Sequence, residues 1–181
     1  MKSTEKLPQG YRPIYFFDLM NNKKDMLVVN GVAIVLIILM FFYGISQSRI
    51  CFDWKIFFAF AGVIVYLFIH EAIHGAFMKF FGSAKVQYGF NGLYAFAGSS
   101  SYFYKIPYLV IVLAPVVLLG LLLCACTHLF VESWFWVFYF IQIVNISGSA
   151  GDLYVFFKIA GLSKDILVKD TGVTMTVYEN K

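Results

Sequence analysis

The chain has 181 residues, 61% of them hydrophobic and only 13% charged, with 21 phenylalanines. A soluble domain carries roughly 25% charged and about 45–50% apolar residues, so one small core cannot hide this surplus and lipid must cover part of it. The formal charge of +4 is too small for a nucleic-acid surface, and no glycine-rich phosphate cradle is present.

Residues 1–25 are polar and mixed in charge, with Lys2, Lys6, Arg12, Lys23 and Lys24 set among acids and with Pro8, Gly10 and Pro13 as breakers. They do not have the form of a signal peptide. The apolar run that follows lacks a small-residue cleavage site and is too long for an h-region, so it is expected to stay as an anchor. Ile14-Tyr15-Phe16-Phe17 is expected at the membrane interface, where aromatic rings favour the headgroup level. Leu27 to Ile45 is uncharged and matches the roughly 20 residues needed to cross the hydrocarbon. This is the first predicted span.

Ser46 to Lys55 is a short polar link, and Ile56 to Met78 is the second span. It holds His70-Glu71-Ala72-Ile73-His74, an H-E-x-x-H motif. On a helix, residues four apart share a face about 6 Å apart, so both imidazoles can aim a ring nitrogen at one metal ion. Glu71 is then placed to handle a water rather than to bind the ion.

Gly82 to Lys105 is not helical in pattern. Asn91-Gly92 lies between two β-prone runs, which predicts a two-residue hairpin turn with Phe90 facing Leu93 and Tyr88 facing Ala95. Ile106 to Thr127 is the third span, interrupted at Ala114-Pro115, where a backbone hydrogen bond is lost and a kink is expected. Ser133 to Phe157 is the fourth, aromatic in its first half and small and polar from Asn145 to Asp152. In the tail, Val173 to Tyr178 alternates like a strand and is expected to pair with the hairpin. Cys124 and Cys126 turn away from each other on a helix, and with Cys51 they give no disulfide framework; packing is their expected role.

Lys and Arg crowd the N-terminal segment, the loop after the second span and the tail, while the other two links hold only Arg49 and Lys55. By the positive-inside rule, both termini and the hairpin are predicted to be cytoplasmic. The fold class is therefore an all-α membrane protein: four transmembrane helices and a small cytoplasmic-side β-hairpin, forming one membrane-embedded domain over residues 1–181.

Charged or imidazole groups within a span cost at least ~2.5–3.5 kcal/mol on insertion scales and usually serve a function. The four predicted spans hold His70, Glu71, His74 and Asp152. The motif precedes Lys79 and Asp152 precedes Lys158 by nearly equal stretches, which sets both roughly 10 Å inside the same membrane face. A His70–His74–Asp152 site with a fourth position for water is the catalytic form of zinc coordination. Glu71 would act as general base. Asn145, two turns before Asp152, is a candidate for the substrate backbone or the oxyanion. Other readings stay open at this level: Asp152 satisfied by Asn145 or Ser149, Asn145 as a helix-joining amide, and Glu132 as a rival third ligand, with His128 and Glu132 otherwise solvated at the opposite mouth.

With these residues in view, the chain resembles the site-2-type intramembrane zinc metalloproteases, and more closely the small bacterial membrane family of putative zincin peptidases. The likeness rests on His70-Glu71-Ala72-Ile73-His74 in a span, the hairpin after it, Ala114-Pro115, and Asn145 followed by Gly151-Asp152. Site-2 proteases usually carry Leu-Asp-Gly with prolines before it, where this chain has Gly151-Asp152-Leu153. The resemblance implies zinc held by His70, His74 and Asp152, Glu71 as base, and a hairpin edge that takes substrate as an added strand. The expected function is zinc-dependent hydrolysis of a membrane peptide or protein substrate in or beside a bacterial cell membrane, without nucleic acid as partner. The alternative is a non-catalytic metal-binding membrane protein, a transporter, a sensor or an inactive relative. Oligomeric state is not legible.

Overall fold

The computed structural model describes residues 2–18, 21–49, 53–90, 95–130 and 132–180. The fold is mostly helical, with α1 (Lys23–Gln47), α2 (Ile56–Phe80), α3 (Lys105–Leu129), α4 (Phe135–Gly148) and α5 (Ala150–Ala160). Helices α1, α2 and α3 are each long and apolar enough to cross a membrane, and α4 with α5 makes a fourth crossing if the bent pair counts as one span. The pair bends by 40° around Ser147-Gly148-Ser149. Ser147 Oγ donates to the Ile143 carbonyl and Ser149 Oγ to the Asn145 carbonyl, each at 2.7 Å. Such back-bonding beside a glycine is a recognised cause of helix bending.

Burial follows helical spacing. In α2 the buried residues are Ala59, Tyr66, His70, His74, Gly75 and Met78, a single stripe. In α1 only Val29 and Gly44 are buried, so most of its surface is left for lipid. It is tied in at both ends: Tyr154 Oη donates to Asp25 at 2.7 Å and Tyr139 Oη to the Met40 carbonyl at 2.6 Å.

The polar ends build more β-structure than the sequence suggests. Strands β1 (Ser3–Thr4), β2 (Tyr11–Phe17), β5 (Tyr102–Tyr104), β6 (Ile166–Asp170) and β7 (Met175–Asn180) form an antiparallel sheet in the order β1-β5-β6-β7-β2. The segment expected at the membrane interface is thus the edge strand β2. The tail strand β7 pairs with β6 and β2, not with the hairpin. Register aligns Phe103, Val168 and Val177 across the sheet, and these pack with Met78, Tyr108, Ile111, Val155 and Ile159 at one end of the helices. Alternation puts Asp170 on that same inward face.

The hairpin, β3 (Val86–Phe90) and β4 (Ala95–Ser99), is a separate two-stranded sheet. Phe90 pairs with Ala95 and Tyr88 with Ala97, so the two-residue turn is replaced by a four-residue connection, 91–94, which lies outside the described residues. A shift of two keeps every side chain on its expected face. It also sets Phe96 opposite Gly89, whose missing Cβ leaves room for the ring. Gly98 of β4 lies against the turn between β6 and β7, where a Cβ would run into the Thr171 backbone. Gly98→Ala is therefore expected to cost about 1–3 kcal/mol through overpacking, read as a lower thermal unfolding midpoint in detergent.

Candidate metal centre

One turn of α2 brings His70 and His74 side by side, both buried, with ring centroids 4.9 Å apart. Across from them, the bend at Ser149 aims the first turn of α5, and with it Asp152, into the bundle. His70 Nε2 lies 3.2 Å from His74 Nε2 and 3.2 Å from Asp152 Oδ2, and His74 Nε2 lies 3.5 Å from the same oxygen. Among the described residues, these three form the group whose donor atoms could hold one metal ion.

The donor set fits zinc. Tetrahedral zinc with bonds of about 2.0–2.1 Å separates its ligands by about 3.3–3.4 Å, close to the three distances found. Proton placement argues the same way. His74 Nδ1 is 2.9 Å from the Ile111 carbonyl, and a carbonyl only accepts, so Nδ1 carries the proton and a neutral His74 offers a lone pair at Nε2. A proton on His70 Nε2 could serve His74 or Asp152 but not both, whereas a cation between the three atoms satisfies all of them.

The outer contacts orient the ligands, as is usual for metal-bound histidine. His70 Nδ1 lies 3.0 Å from Tyr66 Oη, and that hydroxyl also meets Ser149, linking α2 to the bend. Tyr66 belongs to no motif in the sequence, and the signal that could mark it is its position four residues before His70, on the metal-facing stripe.

His70, Glu71, His74 and Asp152 line a cavity of about 340 Å³, together with Tyr66, Tyr108, Ala97 and Asp170. The Ala97 backbone hydrogen-bonds the Glu71 carboxylate. On another wall Tyr108 Oη donates to Asp170 Oδ2 at 2.6 Å and the Gly172 N–H to Oδ1 at 2.8 Å. Burial pushes the Asp170 carboxyl above its ordinary range, against the opposite pull of these two hydrogen bonds. Asp170 carried no signal in sequence, since it lies in a polar tail beyond the last helix.

The remaining candidates lie elsewhere. Asn145 is fully buried between α4 and α3, its Nδ2 3.2 Å from the Val116 carbonyl and its Oδ1 without a partner. Gly120 lets it approach, since a Cβ there would sit 3.3 Å from Nδ2. Asn145 is not among the residues that line the cavity. Glu132 lies in a short 3-10 turn, Glu132–Trp134, and shares a different cavity with Lys55 and Ile56 at the start of α2. His70 is fourteen residues along that helix, about 21 Å away. Cys124 and Cys126 are free thiols, while Cys51 lies outside the described residues.

A family model described as putative zincin peptidase matches residues 63–167, more than half of the chain. The match runs from Val63 of α2 into β6 and includes His70, Glu71, His74, Pro115 and Asp152. No curated protein and no solved structure matches the chain.

Proposed function

The chain belongs to the putative zincin peptidase family, and from that premise we propose that it is a zinc-dependent peptidase acting on membrane peptides or proteins, within the bilayer or at its surface. The observation that carries the reading is the convergence of His70 Nε2, His74 Nε2 and Asp152 Oδ2 on one point, with Glu71 on the wall of the same cavity. Family membership supports zinc as the metal, and the three apolar helices support a multi-pass membrane protein.

Zinc bound there supplies Lewis acidity, lowering the pKa of water toward 7 and polarising a peptide carbonyl. The remaining work falls to this chain. Glu71 takes the proton from water and delivers it to the departing amine. The Ala97 N–H holds the Glu71 carboxylate in the cavity. His74 is kept in its metal-binding tautomer by the Ile111 carbonyl. An unwound substrate segment needs partners for its backbone groups, and the two-stranded hairpin β3–β4 offers an edge to which an extended segment adds as a further strand. Asn145 holds α4 to α3 through Val116.

In this reading α4 and α5 form one broken span, and four crossings would leave both termini and the hairpin on the same side. The Lys and Arg distribution assigns that side to the cytoplasm, in a bacterial cell membrane. Purified protein in lipid vesicles with a reporter transmembrane peptide tests the activity. Cleavage is expected to stop with a zinc chelator and to return with added zinc. Cleavage that persists after zinc has been stripped to below stoichiometric traces would overturn the proposal.

A further inference from the structure

A proline in a helix provides no N–H for the carbonyl four residues earlier, and its ring crowds that carbonyl and tilts it outward. Pro115 is fully buried within α3, which runs unbroken from Lys105 to Leu129. The carbonyl it leaves without a helical partner is that of Ile111. This is the same carbonyl that His74 Nδ1 meets at 2.9 Å from the neighbouring helix. The freed acceptor is therefore matched with a particular donor, one whose other nitrogen belongs to the metal centre.

We propose that Pro115 is a positioning residue for the metal centre: by withholding a backbone N–H it reserves the Ile111 carbonyl for His74 Nδ1–H, which turns the Nε2 lone pair toward the point shared with His70 and Asp152. The proposal deepens the zinc-peptidase reading and rests on it for the consequence, though not for the hydrogen bond. A proline kept only for the shape of α3 would act through its ring and would be indifferent to whether an N–H stands at position 115. Pro115→Ala restores that N–H and draws the carbonyl back along the helix axis. Replacing a partner that orients a metal-bound histidine typically weakens metal affinity about 10–100-fold.

The test compares three forms of the full-length protein in detergent: wild type, Pro115→Ala, and a chain with lactic acid at position 115, whose ester linkage has neither ring nor N–H. Nitrogen-15 spectra of metal-free, histidine-labelled protein report the tautomer, with the His74 signal identified as the one missing from His74→Gln. Wild type and the ester form are expected to show His74 protonated at Nδ1, and Pro115→Ala to lose that preference. Zinc affinity, measured by competition with a chromogenic chelator, is expected to fall about 10–100-fold in Pro115→Ala and to stay within about threefold of wild type in the ester form. An ester form that loses tautomer preference and affinity as Pro115→Ala does, or a Pro115→Ala protein that keeps both, overturns the proposal. Should Pro115→Ala fail to fold, the ester form alone decides, because a shape role requires the ring that it lacks. Wild-type protein that shows the expected tautomers yet binds no zinc supports the hydrogen-bond role of Pro115 and refutes the zinc reading instead.

Discussion

Glu71→Gln is expected to leave zinc bound and to lower peptide hydrolysis by about 10²–10⁴-fold, the usual span for loss of a general base. The reasoning is positional. The metal point is defined by His70, His74 and Asp152, and Glu71 is not needed to complete a three-ligand site with one open position. Its carboxylate nevertheless lines the same cavity and is held by the Ala97 backbone. Glutamine has the same shape and can still accept that hydrogen bond through its carbonyl oxygen, but it cannot take a proton from water. Metal content and cleavage of a vesicle-borne peptide, measured on the same preparation, separate the possibilities. Retained zinc with lost cleavage fits a base. Loss of both would make Glu71 a ligand, and unchanged cleavage would remove it from the chemistry. A metal carrier or sensor built on the same three ligands would tolerate glutamine at position 71, so the variant also separates the enzyme from its non-catalytic alternative.

The clustering of His70, His74 and Asp152 is more legible in the sequence than the scaffold around it. His70 and His74 follow from helical period alone, and Asp152 from an argument about depth that needed only two lysines and the rise of a helix. Both kinds of signal are local, or are fixed by the thickness of a membrane. The five-stranded sheet is not of that kind. Its strands come from residues 3–4, 11–17, 102–104, 166–170 and 175–180, two of them no more than three residues long; only β6 and β7 pair with a neighbour in sequence, and every other pairing joins segments distant in the chain. Tyr11 to Phe17 reads equally well as an interfacial stretch, because aromatic residues suit both a strand edge and a headgroup layer. Asn91-Gly92 and the flanking alternation mark the hairpin but not its register, since a two-residue slip preserves the in–out pattern. Asp170 owes its inward direction to strand alternation in a sheet built from distant segments, so no local pattern marks its place on the cavity wall.

Removing a ligand should affect metal binding more than any change at its orienting partners. His74→Ala and Asp152→Ala are each expected to weaken zinc binding by more than the roughly 10–100-fold typical of changes at the groups that orient a ligand, with hydrolysis falling in parallel. Asp152→Ala is the more informative of the two, because Asp152 comes from α5 whereas both imidazoles come from α2. Its position depends on the 40° bend after Gly148 and on packing between helices that are not neighbours in sequence. Two imidazoles from one helical turn can bind a transition ion weakly without help. The carboxylate adds the third donor and the charge that turns the pair into a site. Asp152→Asn sharpens the comparison, since it keeps an oxygen at hydrogen-bonding distance from His70 but removes the charge; it is expected to fall between wild type and alanine. Chelator competition on detergent-purified protein, with far-ultraviolet circular dichroism to confirm helical content, provides the readout. If Asp152→Ala binds zinc as tightly as wild type, another carboxylate of this cavity must complete the site. Glu71 and Asp170 are the other carboxylates that line it; Asp170 in that place would leave Glu71 as the base, whereas a Glu71 committed to the ion could no longer serve, and the catalytic assignment would then fall with the metal site.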